Sequence, residues 1–248
     1  MFTVYTSSLH DYAFDCVSHH LFEPYGSDSL RNATDEDIMK QVTLDDSLRN
    51  RLVAYYNPGL HKMMGSILSL FAKPRETPLA GNFVMEATAK TGAAQFTLLN
   101  RMQDKAHGLD HLDMAAECTD HMVAGIDTTG DALCFLMWEI SQPRSFHVQR
   151  RLQEELRANP ETPFDKLPYL DAVVSEGLRC FPAIPMSLPR LALAEMKTLL
   201  RDVYTRFTTI PDESMTEDDM QMSDLLISTQ PKATKCYMKL LPLDADKV

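Results

Sequence analysis

The sequence is short of basic charge, short of glycine, and without any cysteine pairing pattern. Lys and Arg total 24 against 35 Asp and Glu, for a net charge of −11. A chain so poor in cations is not built for nucleic acid, where affinity comes from neutralising phosphates. Nor does it dock electrostatically on an anionic bilayer. The five cysteines, Cys16, Cys118, Cys134, Cys180 and Cys236, contain no C-x-x-C pair and are odd in number. That excludes a disulfide framework and reads as reduced thiols. No apolar run approaches the roughly 18 residues of a transmembrane helix, and no opening stretch has the order of a signal peptide. The expectation is a soluble, cytoplasmic chain, with contact to a membrane through an apolar face left open. Only 9 glycines occur; helix formers dominate, and the predicted class is mainly α.

What is present suits one large domain. The chain has 248 residues, 44% of them hydrophobic, enough for a buried core. It shows no internal repeat, and residues 1–248 are expected to form a single domain. Helical spacing predicts helices over Leu9–Phe22, Pro58–Ala72, Phe83–Thr91 and Ala93–Lys105. The longest candidate runs from Leu109 to Gln142, followed by Pro143–Ala158, Leu170–Cys180 and Ala192–Phe207. Lys73–Asn82 reads as a connection because of Pro74 and Pro78. Pro211–Asp224 reads as an acidic loop. Two β-like pieces, Leu225–Ser228 and Lys235–Leu240, close the chain. Met63, Met64, Phe135, Met137 and Trp138 are expected in the core.

Two segments carry chemistry. Ala124-Gly125-Ile126-Asp127-Thr128-Thr129 lies inside the longest helix. An acid beside a hydroxyl makes a proton relay. Gly125 would let a flat ligand approach the backbone. Thr128 can bond back to the Ala124 carbonyl and open the helix locally. Taken alone, the same residues also suit a solvated helix face. The second segment is Glu176-Gly177-Leu178-Arg179, whose i,i+3 spacing puts acid and base on one face; an ordinary surface pair has the same spacing. His107 and His111 share a possible i,i+4 metal spacing, although Gly108 between them favours a solvated helix end.

The ordered set is more specific than its parts. Ala124–Thr129, a charged helix, and then LPYLDAVVSEGLRCFPAIPMSLPR together resemble the cytochrome P450 superfamily, of the type found in fungal secondary metabolism. The first segment resembles the oxygen-activation motif of the family's I helix. Glu176–Arg179 resembles the E-x-x-R of its K helix, and the stretch from Leu191 to Pro211 resembles its L helix. The resemblance implies a mainly α, partial P450 fold with a small carboxy-terminal β element. It implies that Asp127 and Thr128 deliver protons, that Gly125 and Arg190 face haem b, and that Glu176 and Arg179 are structural. It further implies a hydrophobic small-molecule substrate and, where haem is bound, NADPH–cytochrome P450 reductase as electron donor.

The sequence also departs from the family. The amino-terminal region with its membrane anchor has no counterpart here. Arg190 runs directly into Leu191, where the family inserts strands, a meander and the F-x-x-G-x-R-x-C-x-G loop that supplies the axial thiolate. The five cysteines read as buried apolar thiols rather than iron ligands, so no metal ligand is assigned. Three functions follow from this. The first is a monooxygenase that tailors a hydrophobic secondary metabolite. The second is a haem-free P450-like protein that binds an apolar metabolite or catalyses a cyclisation, isomerisation or dehydration. The third is an inactive truncated product.

Overall fold

The computed structural model describes residues 2–4, 6–44, 53–68, 78–184, 190–224 and 228–243. In chain order the elements are β1 (Phe2–Val4), α1 (Thr6–Phe22), α2 (Ala33–Leu44), α3 (Pro58–Leu68), α4 (Pro78–Ala89), α5 (Leu98–Met102) and α6 (His111–Ser141). These are followed by α7 (Phe146–Ala158), α8 (Pro168–Cys180), α9 (Arg190–Arg206), β2 (Phe207–Pro211), β3 (Met222–Asp224), β4 (Thr229–Pro231) and β5 (Met238–Pro242). The protein is mainly α with a small carboxy-terminal sheet, as the sequence predicts. No helix among the described residues is long and apolar enough to cross a membrane.

Contacts divide the chain into two compact units, one of residues 1–16 with 124–248 and one of residues 17–123. In the first unit, α6 from Asp131 to Trp138 is buried at every position. A helix apolar all round belongs inside a core, and Leu133, Phe135, Met137 and Trp138 form that core with residues of α7, α8 and α9. On α8 the buried positions are Leu170, Val173, Val174 and Gly177, the i, i+3, i+4, i+7 stripe of a packed helix. A Cβ at Gly177 would stand 2.6 Å from Leu136 Cδ1, so the missing side chain sets how closely α8 meets α6. Phe135 and Phe181 stack with centroids 5.5 Å apart. The free N–H groups at the start of α8 are capped from α7: Tyr169 and Leu170 donate to the two Glu155 carboxylate oxygens at 2.7 and 2.8 Å. This meets the need of any helix start for external acceptors.

β5 is the middle strand of an antiparallel sheet between β1 and β2. A buried polar cluster ties β2 to α7. Gln149 Nε2 lies 3.0 Å from the Ile140 carbonyl and from the Thr209 carbonyl and hydroxyl, while Gln149 Oε1 accepts from the Thr209 N–H at 3.0 Å. Tyr204 and Ser141 share the same Thr209 hydroxyl.

The second unit contains α2 packed on α4, where Ala80 N–H donates to Gln41 Oε1 at 2.9 Å. Thr97 caps α5 by accepting from Asn100 N–H at 3.2 Å. Met63 and Met64, expected in the core, are exposed on α3, a helix with no buried residue. Their apolar periodicity marks a face without a covering element among the described residues. The helix expected over Ala93–Lys105 shortens to α5, because Thr97 is its cap and not part of its interior. The connection expected over Lys73–Asn82 ends at Pro78, which opens α4 where a missing N–H costs nothing. Met222–Asp224, expected in the acidic loop, form a strand; of the β-like piece expected over Leu225–Ser228, residues 225–227 lie outside the described residues. Thr208–Ile210, unassigned in the sequence, are strand, and Phe207 begins it.

Replacing Gln149 with Leu keeps the volume and strands the Thr209 N–H and two carbonyls. It is expected to lower the unfolding free energy by about 3 kcal/mol, seen as a lower urea midpoint at unchanged slope. Arg150→Ala, on the exposed side of the same helix, should shift it by less than about 0.5 kcal/mol. Equal midpoints for the two variants would remove the cluster from the account.

Candidate functional site

The Ala124–Thr129 segment sits inside α6, which remains α-helical throughout. Thr128 Oγ1 donates to the Ala124 carbonyl at 2.8 Å, the expected back-bond, formed here without breaking the helix. Thr128 is buried, and Gly125 and Asp127 are half-buried. The hydroxyl's one donor is thereby committed, while its lone pairs remain for an incoming donor. One position on, Thr129 is fully buried and donates to Glu195 Oε2 on α9 at 3.1 Å.

Glu195 is a site residue that the sequence reading did not single out. Its signal is positional: Ala192, Met196, Leu200 and Tyr204 form the buried stripe of α9, and an acid at position 195 falls on that stripe. Glu195 Oε1 is buried without a hydrogen-bond partner, and Tyr12 donates to the Glu195 backbone carbonyl at 3.0 Å. Burial pushes the Glu195 carboxyl up to about 7, against a smaller opposing effect of the Thr129 hydrogen bond. Burial, with Glu195 nearby, also pushes the Cys16 thiol up to about 11.

The Glu176–Arg179 pair is bidentate, with Arg179 Nε and Nη2 each 2.7 Å from a Glu176 oxygen. It stands in solvent: the side chains are 62% and 70% exposed. The Arg179 guanidinium holds the Glu176 carboxyl below its usual range. Beside it, Leu136, Ile140, Val148, Tyr169, Val173 and Phe181 line a groove of about 570 Å³ that Glu176 also borders. Arg190 opens α9, but its side chain, like residues 185–189, lies outside the described residues.

The histidine pair does not form. His107 ends a 3-10 turn, Gly108 takes φ +63°, and His111 begins α6. His111 Nε2 lies 3.0 Å from Thr88 Oγ1 and 3.1 Å from the Met85 carbonyl, tying α6 to α4 rather than fraying. The thiols are dispersed. Cys118, Cys134 and Cys236 are buried as expected, Cys16 is half-buried, and Cys180, expected to be buried, is exposed because it ends α8 off the buried stripe. Burial, and secondarily Glu117, pushes the Cys118 thiol up to about 12, against thiolate formation.

Glu195 sets a pH dependence. Its folded value lies above the ordinary 4.5, so the folded state holds the proton more tightly than the unfolded chain. The resulting stability is complete below about pH 4.5 and is lost as pH rises through about 7. Glu195→Gln should remove that slope and leave the variant about 3 kcal/mol more stable than the parent at pH 8. Urea titrations of both proteins from pH 4 to 8 read the difference, in which contributions from other acids cancel. Parallel curves would disprove the assignment.

The cytochrome P450 family model matches residues 61–205. The chain is 30% identical over 156 residues to Cytochrome P450 71B25 of Arabidopsis thaliana, covering 58% of this chain and 30% of that protein. It is 42% identical over 85 residues to Cytochrome P450 98A1 of Sorghum bicolor, covering 32% of this chain and 16% of the relative. It is 32% identical over 100 residues to the Cytochrome P450 monooxygenase poxC of Penicillium oxalicum, covering 38% and 21%. Each alignment spans less than a third of the relative's own length. With a family model matched over more than half of its residues, the chain belongs to the cytochrome P450 family.

Proposed function

We propose that this protein serves a P450 monooxygenase reaction, the oxidative tailoring of a hydrophobic secondary metabolite. The chain, as one P450-type domain, would supply the distal, proton-handling wall of the site. The observation that carries this reading is the Thr128–Ala124 back-bond beside half-buried Asp127. Asp127 can take protons from solvent, and the Thr128 oxygen, its donor committed, can accept from a proton-bearing neighbour. Gly125 would leave that turn approachable by a flat ligand. The family normally binds haem, which when bound supplies the redox chemistry; a reductase partner enters only in that case.

The thiols of this chain do not fit the axial role. Cys118 and Cys134 belong to α6 itself, Cys236 is buried with its Sγ 4.0 Å from the Cys134 carbonyl, and Cys180 packs against its own helix neighbours Glu176 and Arg179. Residues 181–189 contain no cysteine. A thiolate would have to come from a segment inserted between α8 and α9. The exposed Glu176–Arg179 pair and the open groove beside it are the surface such a segment would cover, with Glu176 and Arg179 as structural anchors.

The misfit of the thiols specifically favours a second reading, in which the chain binds an apolar small molecule without haem or catalyses a non-redox step. A groove of about 570 Å³ is within the size range of small-molecule sites. Transcript sequencing across the Arg190 and Leu191 codons separates the two. The first reading expects an isoform with an added cysteine-bearing segment; with hemin, dithionite and carbon monoxide it should show the thiolate-type Soret band, which the 248-residue chain should lack. An uninterrupted transcript, with saturable quenching of Trp138 by apolar ligands in the haem-free chain, would establish the second instead.

A further inference from the structure

The buried half of α6 carries a carboxylate and a thiol that the distal wall does not use. Asp131 is 3% exposed and Cys134 is fully buried. Their i,i+3 spacing puts both on one face of the helix. His10, on α1, reaches that face from the same unit of the chain and is 9% exposed. One ligand atom from each of the three, a nitrogen, an oxygen and a sulfur, lies within 4.8 Å of the other two. We propose that His10, Asp131 and Cys134 form a binding site for one borderline divalent cation of the zinc class, with water as its fourth ligand.

The geometry already holds part of a coordination shell. His10 Nε2 and Asp131 Oδ1 are 3.5 Å apart. Two ligands about 2.0–2.1 Å from a tetrahedral zinc stand about 3.4 Å from each other. At a zinc–sulfur distance of about 2.3 Å, the thiol would stand about 3.6 Å from either partner. From at most 4.8 Å it therefore closes in by no more than about 1.2 Å, within reach of a side-chain rotation.

A glycine makes room for the arrangement. An ideal Cβ at Gly130 would stand 2.8 Å from His10 Cδ2 and 3.0 Å from Nε2. Glycine in a helix interior costs about 1 kcal/mol against alanine; here its bare backbone is what admits the imidazole beside Asp131. The donor set also selects the ion. Imidazole with thiolate suits zinc-class metals, whereas calcium and magnesium call for oxygen ligands. Charge balances as well: a dication, a carboxylate, a thiolate and a neutral imidazole sum to zero, which removes the penalty of an isolated buried charge. Coordination needs the thiol as thiolate, so binding is coupled to proton release.

The test uses the full 248-residue chain, freed of metal by chelator and titrated with Zn2+ and with Co2+. One equivalent of Zn2+ should bind and raise the melting temperature. Calorimetry in buffers of different ionisation enthalpy should show net proton release on binding. Co2+ should develop a thiolate-to-metal charge-transfer band, which reports Cys134 without any substitution. Cys134→Ser should abolish that band and weaken Zn2+ at least about tenfold, with helical circular dichroism unchanged; His10→Ala should weaken Zn2+ likewise. The assignment is overturned if the parent chain binds Zn2+ no more tightly than Cys134→Ser. It is equally overturned by tight binding that survives both substitutions, which would place the ion on other histidines, or by Co2+ binding without the charge-transfer band.

Discussion

The constraint on which the rest of the first unit depends is the burial of the second half of α6 on every face. A helix in that position cannot leave a side-chain polar group to water, so each one must find a partner inside the protein. Thr128 turns back to the Ala124 carbonyl, Thr129 donates to Glu195, Asp131 faces His10, and Ser141 bonds the Met137 carbonyl and Thr209. The same crowding explains two glycines. Gly130, on α6 itself, gives way to the His10 ring of α1, and Gly177 lets α8 come close enough to meet Leu136.

Burial also concentrates electrostatic tension along that helix. Asp131 and Glu195 are both held above the ordinary carboxylate range, in each case chiefly by desolvation. Their partners offset part of the cost: the His10 imidazole for Asp131 and the Thr129 hydroxyl for Glu195. Acids raised by burial in this way are common at working sites, because the protein has to sustain an unfavourable group there. By contrast, Glu176 and Arg179 lie in water, where a paired charge contributes little. Burial therefore perturbs Asp131 and Glu195 upward, while the Glu176–Arg179 pair is held by its partner in solvent.

What the sequence revealed follows from the range of the interactions involved. The core positions Phe135, Met137 and Trp138 and the long helix were legible because helical periodicity is local. So was the Thr128 back-bond, which joins residues on successive turns of one helix. The Ala124–Thr129 and Glu176–Arg179 segments were legible through family resemblance. His10 beside Asp131 was not, since α1 and α6 are far apart in sequence and nothing local marks the pairing except an unexplained Gly130. Glu195 was partly legible as an acid on an apolar stripe. Met63 and Met64 misled because periodicity shows that a helix has an apolar face without showing what covers it. Strand β2 was missed because its hydrogen bonds come from β5 and from the Gln149 and Gln153 side chains.

The junction at Arg190 and Leu191 bears differently on the core and on the outer face of α8. Residues 181–189 reach at most about 30 Å when extended, which would be a serious demand if α8 and α9 lay apart. They do not: the two helices pack against each other, and Lys197 on α9 pairs with Asp171 on α8. The short connection is thus compatible with the core, and α6, α7, α8 and α9 bury their apolar stripes around one another without any further segment. Beyond α8 are the exposed Glu176–Arg179 pair, the groove beside it and the surface thiol of Cys180. A segment added at this junction would thus change what covers that face while leaving the packing around α6 intact. The exposed Glu176–Arg179 pair stands off the Leu170, Val173, Val174 and Gly177 stripe of α8, so the packing of that stripe does not depend on it.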